Sequence, residues 1–555
     1  MASVIPTLND IEKRTAQLWP VLDDTQIARL ARFGVEQTAP AGTILFDEGD
    51  FGVPFFVVLH GQVEIVHPRG AIEEPIIVHT EGQFTGEVTL LTGGRALVRA
   101  RAKTEARVLR LEHDALQTVV QTEPELSEIF MRAFILRRVG LILGHQGDAV
   151  VLGSQHSAAT LRLQAFLTRN GHPYRYVDVD ADPDVQSMLD QFHVAVTDVP
   201  VLICRGDKVL KNPTNAEAAD CLGFNPAMDA ATVHDVVVVG AGPAGLAAAV
   251  YAASEGLDAL VIESVAPGGQ AGSSSKIENY LGFPTGISGQ ALAHRALNQA
   301  EKFGARFLVA RTAVELGCDG VPYALHLEGG QTVHARAVVI ASGVEYRKLD
   351  IPNRERFEGV GVYYGATFIE AQRCGSDEVV VVGGGNSAGQ AAMYLSQTAR
   401  HVHVLIRGES LSSSMSRYLI RRIEESSNVT LYTRTRLLAL EGNDSLESVT
   451  WLDERTGKRD TRPIRHVFTM AGADPNTAWL KGCVRLDAKG FVLTGVDARA
   501  TEGGPGAPRA PMQFETSLRN VFAIGDVRAG SVKRVAAGVG EGSACVQLLH
   551  RALAN

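Results

Sequence analysis

The sequence predicts a multidomain chain in which a small β-barrel and a small α/β unit precede two larger α/β units. Three observations carry that expectation. Up to residue 145, short β-rich runs (FFVVLHGQVEIV, PIIVHT, ARVLRLE) alternate with turn residues and end in a helical stretch, Asp114 to Leu143. That is the pattern of an antiparallel barrel closed by a helix. Residues 150–224 then run strand, helix, strand, helix, strand, between the linkers Gly144 to Ala149 and NPAMDAAT. From Val233 onward, two four-valine strands each end in a glycine-rich turn that opens a helix. The length of 555 residues agrees, because domains of about 150 residues give three to four of them.

Composition narrows the function classes. A hydrophobic fraction of 45% with 21% charged residues is that of a folded protein rather than a disordered one. Lys+Arg is 53 against Asp+Glu 62, a net charge of −9, which argues against nucleic acid as a partner. The segment Val236 to Ala253 is apolar enough to suggest a membrane span, but Gly240, Gly242, Pro243 and Gly245 divide it into strand, turn and helix. The N-terminus lacks a basic head followed by an apolar core, so no signal peptide and no membrane partner are expected, and the cytoplasm is the expected compartment. The six cysteines (Cys204, Cys221, Cys318, Cys374, Cys483, Cys545) form no CxxC pair and suggest no disulfide framework, Cys204 and Cys221 pair only if the fold brings them together, and no metal site is expected.

The first glycine motif is Gly240-x-Gly242-x-x-Gly245, in HDVVVVGAGPAGLAAAV. Its first glycine permits the tight turn, its second lets backbone amides approach a diphosphate, and its third brings helix and strand together. Glu263 ends the next strand, where a carboxylate accepts ribose hydroxyls. EVVVVGGGNSAGQAAMYL repeats the arrangement as Gly383-x-Gly385-Asn386-Ser387-Ala388. At the position matching Glu263 stands Ile406, followed by Arg407. No carboxylate repels a 2′-phosphate there and Arg407 is available to pair with one, so NADPH is favoured and NADH stays open. Both units are therefore expected to be Rossmann-like dinucleotide-binding domains.

With these motifs in hand, residues 233–555 resemble a low-molecular-weight thioredoxin reductase. The resemblance implies an FAD-binding domain over 233–347 and 488–555, an NAD(P)H-binding domain over 348–487, and a homodimer. VVIASGVEYR matches the crossing between the two domains. NVFAIGDV puts Asp526 where the family's aspartate holds the FAD ribityl chain, and GGQAGSSSKIENYLGFP carries Gln270 and Asn279 near the expected flavin edge. KRVAAGVGEG opens a helix at Arg534, Val535 and Ala536 whose first amides would face the flavin, stabilising charge on its reduced form. Val535 replaces the family's usual glutamine. One departure decides the chemistry: the family's Cys-Ala-Thr-Cys is here Gly365-Ala366-Thr367-Phe368. No catalytic residue is assigned. A flavin accepts hydride without cysteines, but it cannot pass electrons through a dithiol at this position. Cys374, six residues on, reads as a buried small residue rather than a redox thiol.

EGDFGVPFFVVLHGQVEIV, followed by GQFTGEVTLLTGGRALVRA, resembles a cyclic nucleotide-binding domain, here residues 1–145. The matching cassette holds Gly86, Glu87, Val88, Arg95 and Ala96. Gly86 lets a short helix start close to the cyclic phosphate, Arg95 adds a charge-assisted pair, and Glu87 accepts the ribose 2′-hydroxyl. Ala96 in place of threonine leans toward cAMP over cGMP. Residues 150–224 resemble the glutaredoxin/thioredoxin fold, with Val199-Pro200 at the cis-proline position and Ser157-Ala158-Ala159-Thr160 where the thiols would be. The expected function is an FAD-dependent NAD(P)H oxidoreductase handing electrons straight from flavin to an acceptor, a protein among the candidates, under regulation by a cyclic nucleotide. Two other readings stay open: a flavin-redox and cyclic-nucleotide sensor without turnover, and a thioredoxin-disulfide reductase using other cysteines.

Overall fold

The computed structural model describes residues 14–69, 72–87, 89–143, 149–154, 157–180, 198–204, 208–226, 228–366, 368–443, 445–480, 482–499 and 509–554. Strands β1 (Val35–Ala39), β2 (Ile44–Phe46), β3 (Phe55–His60), β4 (Val63–Arg69), β5 (Ile72–His79), β6 (Arg99–Ala102) and β7 (Ala106–Leu111) form two antiparallel sheets, ordered β1-β7-β3 and β2-β6-β4-β5. Alternation of apolar and polar residues turns one face of each inward. Between β5 and β6 lies a one-turn helix, α1 (Thr89–Thr92). The single helical stretch expected after β7 is two helices, α2 (His113–Thr122) and α3 (Pro124–Leu143), because Glu123 precedes a proline and leaves the helical region. Phe130 and Phe134 of α3 pack on Phe55 and Phe84, with Phe130 ring centroids 4.9 and 5.0 Å from Phe84 and Phe55. Arg137, one turn further on, is buried and donates to the carbonyls of Leu18, Phe84 and Gly86, tying α3 to the cassette.

The next unit contains β8 (Ala149–Gly153), α4 (Ala158–Arg169), β9 (Tyr174–Asp178), β10 (Val201–Cys204), β11 (Lys208–Lys211) and α5 (Asn215–Leu222). Its sheet order is β11-β10-β8-β9, with β8 and β9 parallel and β10 antiparallel to both β8 and β11. Ser157 caps α4, accepting from the Thr160 amide. Thr214 and Glu217 make a reciprocal capping box on α5, a T-x-x-E signal readable in the sequence although the helix was not anticipated. The Val199-Pro200 bond is cis. The helix expected in DVQSMLDQF lies outside the described residues. Ala149, expected in a linker, already pairs with Tyr174 and Cys204.

In the following unit are β12 (Val233–Val239), α6 (Pro243–Ser254), β13 (Ala259–Glu263), α7 (Gly269–Gly272), α8 (Gly289–Lys302), β14 (Arg306–Val309), β15 (Ala313–Gly317), β16 (Tyr323–Leu327) and β17 (Thr332–Ile340). The sheet runs β14-β13-β12-β17-β16-β15. The chain then builds a second parallel sheet from β18 (Val362–Tyr363), β19 (Glu378–Val382), β20 (His401–Leu405), β21 (Val429–Tyr432) and β22 (His466–Thr469), ordered β18-β22-β19-β20-β21. Helices α9 (Phe368–Cys374) and α10 (Asn386–Leu395) belong to it. The two crossings between these units, Val344–Tyr346 and Ala473–Pro475, pair with each other. Finally β23 (Val521–Ala523) returns to lie parallel to β17, and α11 (Val535–Leu553) closes the chain against α6. Among the described residues no helix is long and apolar enough to cross a membrane.

Phe166, Leu167 and Leu222 of the α4–α5 unit belong to one buried cluster with Ala305, Phe307 and Phe522 of the β12–β17 unit, so the two share a core. The barrel has its own. Phe130→Ala should therefore destabilise the barrel by about 3–5 kcal/mol, read as an early urea transition in tryptophan fluorescence, while flavin absorption persists beyond it.

Candidate functional site

Strands β12, β13, β17 and β23 all end at one edge of their sheet, and the predicted dinucleotide residues gather there. Gly240 turns the chain at φ +104°, and a Cβ on it would lie 2.4 Å from the Ala341 carbonyl oxygen. A Cβ on Gly245 would lie 1.9 Å from the Gly240 carbonyl oxygen, so only glycine lets α6 start this close to the strand. Gly242, the N-cap of α6, differs: a Cβ there meets nothing within 4 Å. That open space above a free helix N-terminus has the form a diphosphate fills. Glu263 is buried, accepting from the Ala241 amide at 2.7 Å and the Val265 amide at 3.0 Å, with lone pairs remaining for ribose hydroxyls.

The end of β23 completes this edge. Asp526 lies in the turn Gly525–Val527, and burial raises its carboxyl pKa against the opposing charge of Lys533. Helix α11 begins at Val535 with Arg534 as its N-cap. Arg534 and Ala536 are exposed and Val535 half-buried. A Cβ on Gly542 would reach 2.4 Å from the Ala244 carbonyl oxygen, so α11 crosses directly on α6.

In the second unit Gly383 (φ +143°) would bring a Cβ to 2.6 Å from the Met470 carbonyl oxygen, and Gly385 caps α10. Asn386 accepts from the Ser416 amide at 2.7 Å, and Ala388 is buried. Ile406 is buried beneath Gly384 and Arg407 is exposed at the end of β20. A shallow cleft lies between the two units, lined by Gln270, Ser273, Tyr346, Gly365, Ser387 and Met470 among others. Gln270 also donates to the Val344 carbonyl at 2.6 Å. Asn279 is exposed and does not line the cleft; its neighbour Glu278 pairs with Arg422 of the second unit.

Where sulfur was missed in sequence, the cleft wall is Gly365 and Ala366; Thr367 lies outside the described residues and Phe368 opens α9. Cys374 is buried, its Sγ donates to the Glu370 carbonyl at 3.2 Å, and burial pushes its thiol up to about 12. At neutral pH such a thiol stays protonated and unreactive. Cys545 is also buried and raised. The expectation of no disulfide framework needs correction: Cys204 bonds Cys221 and Cys318 bonds Cys483. The fold does bring Cys204 and Cys221 together, whereas Cys318 and Cys483, 165 residues apart, have no local signal. Neither pair lines the cleft.

At the barrel, Gly86 has φ +106° and Glu87 is buried. Glu87 accepts from the Thr89 amide at 3.1 Å and from its hydroxyl, and pairs with Arg138 at 3.4 Å. Val88 lies outside the described residues, and Ala96 is buried. Two expectations change. Helix α1 has only four residues, so it adds little dipole toward an anion, and the cationic contribution falls to Arg95. Arg95 does not stand clear for a phosphate: its Nη1 donates to the Cys221 carbonyl at 2.7 Å, with the guanidinium 4.7 Å over Phe51.

Residues 234–542 match the pyridine nucleotide-disulphide oxidoreductase family. The chain belongs to that family. Residues 36–123 match the cyclic nucleotide-binding domain. The thioredoxin reductase of Mycolicibacterium smegmatis is 34% identical over 318 residues, covering 56% of this chain and 94% of that protein. That of Bacillus subtilis is 32% identical over 315 residues, 57% of this chain and 93% of that protein. In structure, Lactococcus lactis thioredoxin reductase superposes with a TM-score of 0.52 at 25% identity, over 58% of this chain and 99% of that one. The protein is thus a flavoprotein NAD(P)H oxidoreductase of thioredoxin reductase type that also carries a cyclic nucleotide-binding domain. Family membership implies FAD and NAD(P)H, and the two glycine cradles fit them. Gly242→Arg should fold, since its Cβ meets open space, and yet purify colourless because the side chain occupies the diphosphate path; retained flavin absorption would remove Gly242 from the site.

Proposed function

We propose that this oxidoreductase passes electrons from NADPH through FAD directly to an acceptor that enters the cleft, with no protein dithiol between them. The observation that carries this reading is the cleft itself: Gly365 and Ala366 form its wall, and both bonded cysteine pairs lie elsewhere. Bound FAD supplies a two-electron carrier that takes hydride from nicotinamide. The chain's part is to hold and orient. The Gly240–Gly245 loop and α6 take the FAD diphosphate, Glu263 the adenosine ribose, Asp526 the ribityl chain, and the first amides of α11 (Arg534 to Ala536) the flavin's electron-rich edge. Gln270 lies on the cleft side, and Asn279 is assigned near the flavin on the family resemblance alone. On the nicotinamide side, Gly383, Gly385, Asn386, Ser387 and Ala388 take the diphosphate, and Arg407 pairs with the 2′-phosphate.

The same reading divides the chain into a cyclic nucleotide-binding domain over 1–145, a thioredoxin-like domain without thiols over 150–224, an FAD domain over 233–347 and 488–555, and an NAD(P)H domain over 348–487. The sheet order β11-β10-β8-β9 and the cis Val199-Pro200 bond support the thioredoxin-like assignment. Gly86, Glu87, Val88, Arg95 and Ala96 form the nucleotide site, with cAMP the favoured ligand.

Two measurements test the redox reading. Flavin reduced by NADPH in a stopped-flow cell should be reoxidised by a small or protein acceptor at rates unchanged, within about twofold, by Cys374→Ser, Cys545→Ser and the double variant Cys318→Ser/Cys483→Ser. Loss of turnover in any of them assigns that sulfur to the electron path and defeats direct transfer, as would rapid turnover with thioredoxin. Arg407→Ala should raise KM for NADPH by about tenfold, one charge-assisted contact, while KM for NADH stays level.

A further inference from the structure

The α4–α5 unit stands between the nucleotide cassette and the flavin-side loop and is bonded to both. Toward the cassette, Arg95 donates to the Cys221 carbonyl at 2.7 Å, at the end of α5. Gly223, in the left-handed conformation just after α5, lies against the Arg95 side chain: a Cβ there would fall 2.6 Å from its Nε. Arg138, the ion-pair partner of Glu87, donates through Nε to the Gly171 carbonyl at 3.1 Å. Toward the flavin side, Arg169 donates to the Gly269 carbonyl at 3.2 Å, and a Cβ on Gly269 would meet Gly242 Cα at 3.0 Å. His294 of α8 holds the Arg169 carbonyl at 2.9 Å. Three consecutive residues, Arg169 to Gly171, therefore hold the cassette's Arg138 at one end and, at the other, the Gly269 turn that lies against the diphosphate loop.

Of the two charged groups assigned to a cyclic nucleotide, Arg95 is thus engaged across this boundary directly and Glu87 at one remove, through Arg138 of α3. A cyclic phosphate and the Cys221 carbonyl want the same guanidinium, and a charged oxygen is the stronger acceptor. A ribose hydroxyl on Glu87 would likewise loosen its hold on Arg138. We propose that the α4–α5 unit is a latch that closes on an empty cassette: nucleotide binding withdraws Arg95 from it, unsettles Arg138 on Gly171 by engaging Glu87, and slackens the Arg169–Gly269 contact at the flavin loop. The proposal rests on the nucleotide reading above. The unit is not set adrift, because Asp220 keeps its ion pair with Arg311 and Asn225 keeps both hydrogen bonds to the Val309 backbone. What moves is the terminal turn of α4 and the seam against the cassette.

Such coupling is reciprocal. Whatever opens the latch at the flavin end must tighten nucleotide binding at the other, although Arg169 touches no nucleotide. Calorimetric titration of the FAD-loaded full chain with cAMP and with cGMP should give at least threefold tighter binding to Arg169→Gln than to the wild type, a modest share of the usual allosteric range. On the unaltered protein, saturating cAMP should speed hydrogen exchange at the amides of Gly171, His172 and Phe224, which bond to Thr168, Leu167 and Ala219. This second measurement decides the matter if the variant loses FAD. Nucleotide binding with equal affinity in Arg169→Gln, or with unaltered exchange in the wild type, overturns the latch alone. No heat from either nucleotide in the wild type overturns the cassette assignment, and the latch with it.

Discussion

Contact between α6 and its surroundings is the constraint on which the catalytic half depends. This helix must begin within van der Waals reach of the turn that precedes it and must also be crossed by α11. Gly245 meets the first demand and Gly542 the second, since a single Cβ at either would strike a backbone oxygen. Close packing leaves no room to absorb that overlap. Because both contacts are met, two helix N-termini, the Glu263 carboxylate and Asp526 arrive at one edge of one sheet, where parallel α/β sheets bind their ligands.

The second dinucleotide unit repeats the backbone device with a different electrostatic end. A buried isoleucine followed by an exposed arginine stands where the first unit has a buried glutamate. One scaffold thus presents a buried carboxylate in one unit and an exposed cation in the other. Between the two units the cleft wall lacks the sulfur chemistry from which the family takes its name, and the remaining free thiols are buried where thiolate does not form.

Much of this was legible in the sequence because its signals are local. A valine run, three glycines and a carboxylate about 20 residues on define a strand, a turn and a helix with little help from the rest of the chain. The cassette's Glu87 and Arg95 were legible as residue types in register, and so was the proline at Val199-Pro200. What stayed hidden is long-range. Arg169 reaches Gly269 across 100 residues and Arg95 reaches Cys221 across 126, so neither partner could be named from spacing. The same holds for Cys318 and Cys483, 165 residues apart. Helix α5 is the exception, since its capping box was there to be read.

The buried cluster shared by the α4–α5 unit and the first dinucleotide unit bears on how this polypeptide can be dissected. Phe307 and its neighbours are shielded from water partly by side chains that precede Val233 in the chain. A truncation beginning at His234, where the oxidoreductase match starts, would lay that apolar surface bare, and such patches drive self-association. A fragment that keeps this apolar surface covered therefore starts near Ala149, ahead of the point where the oxidoreductase match begins.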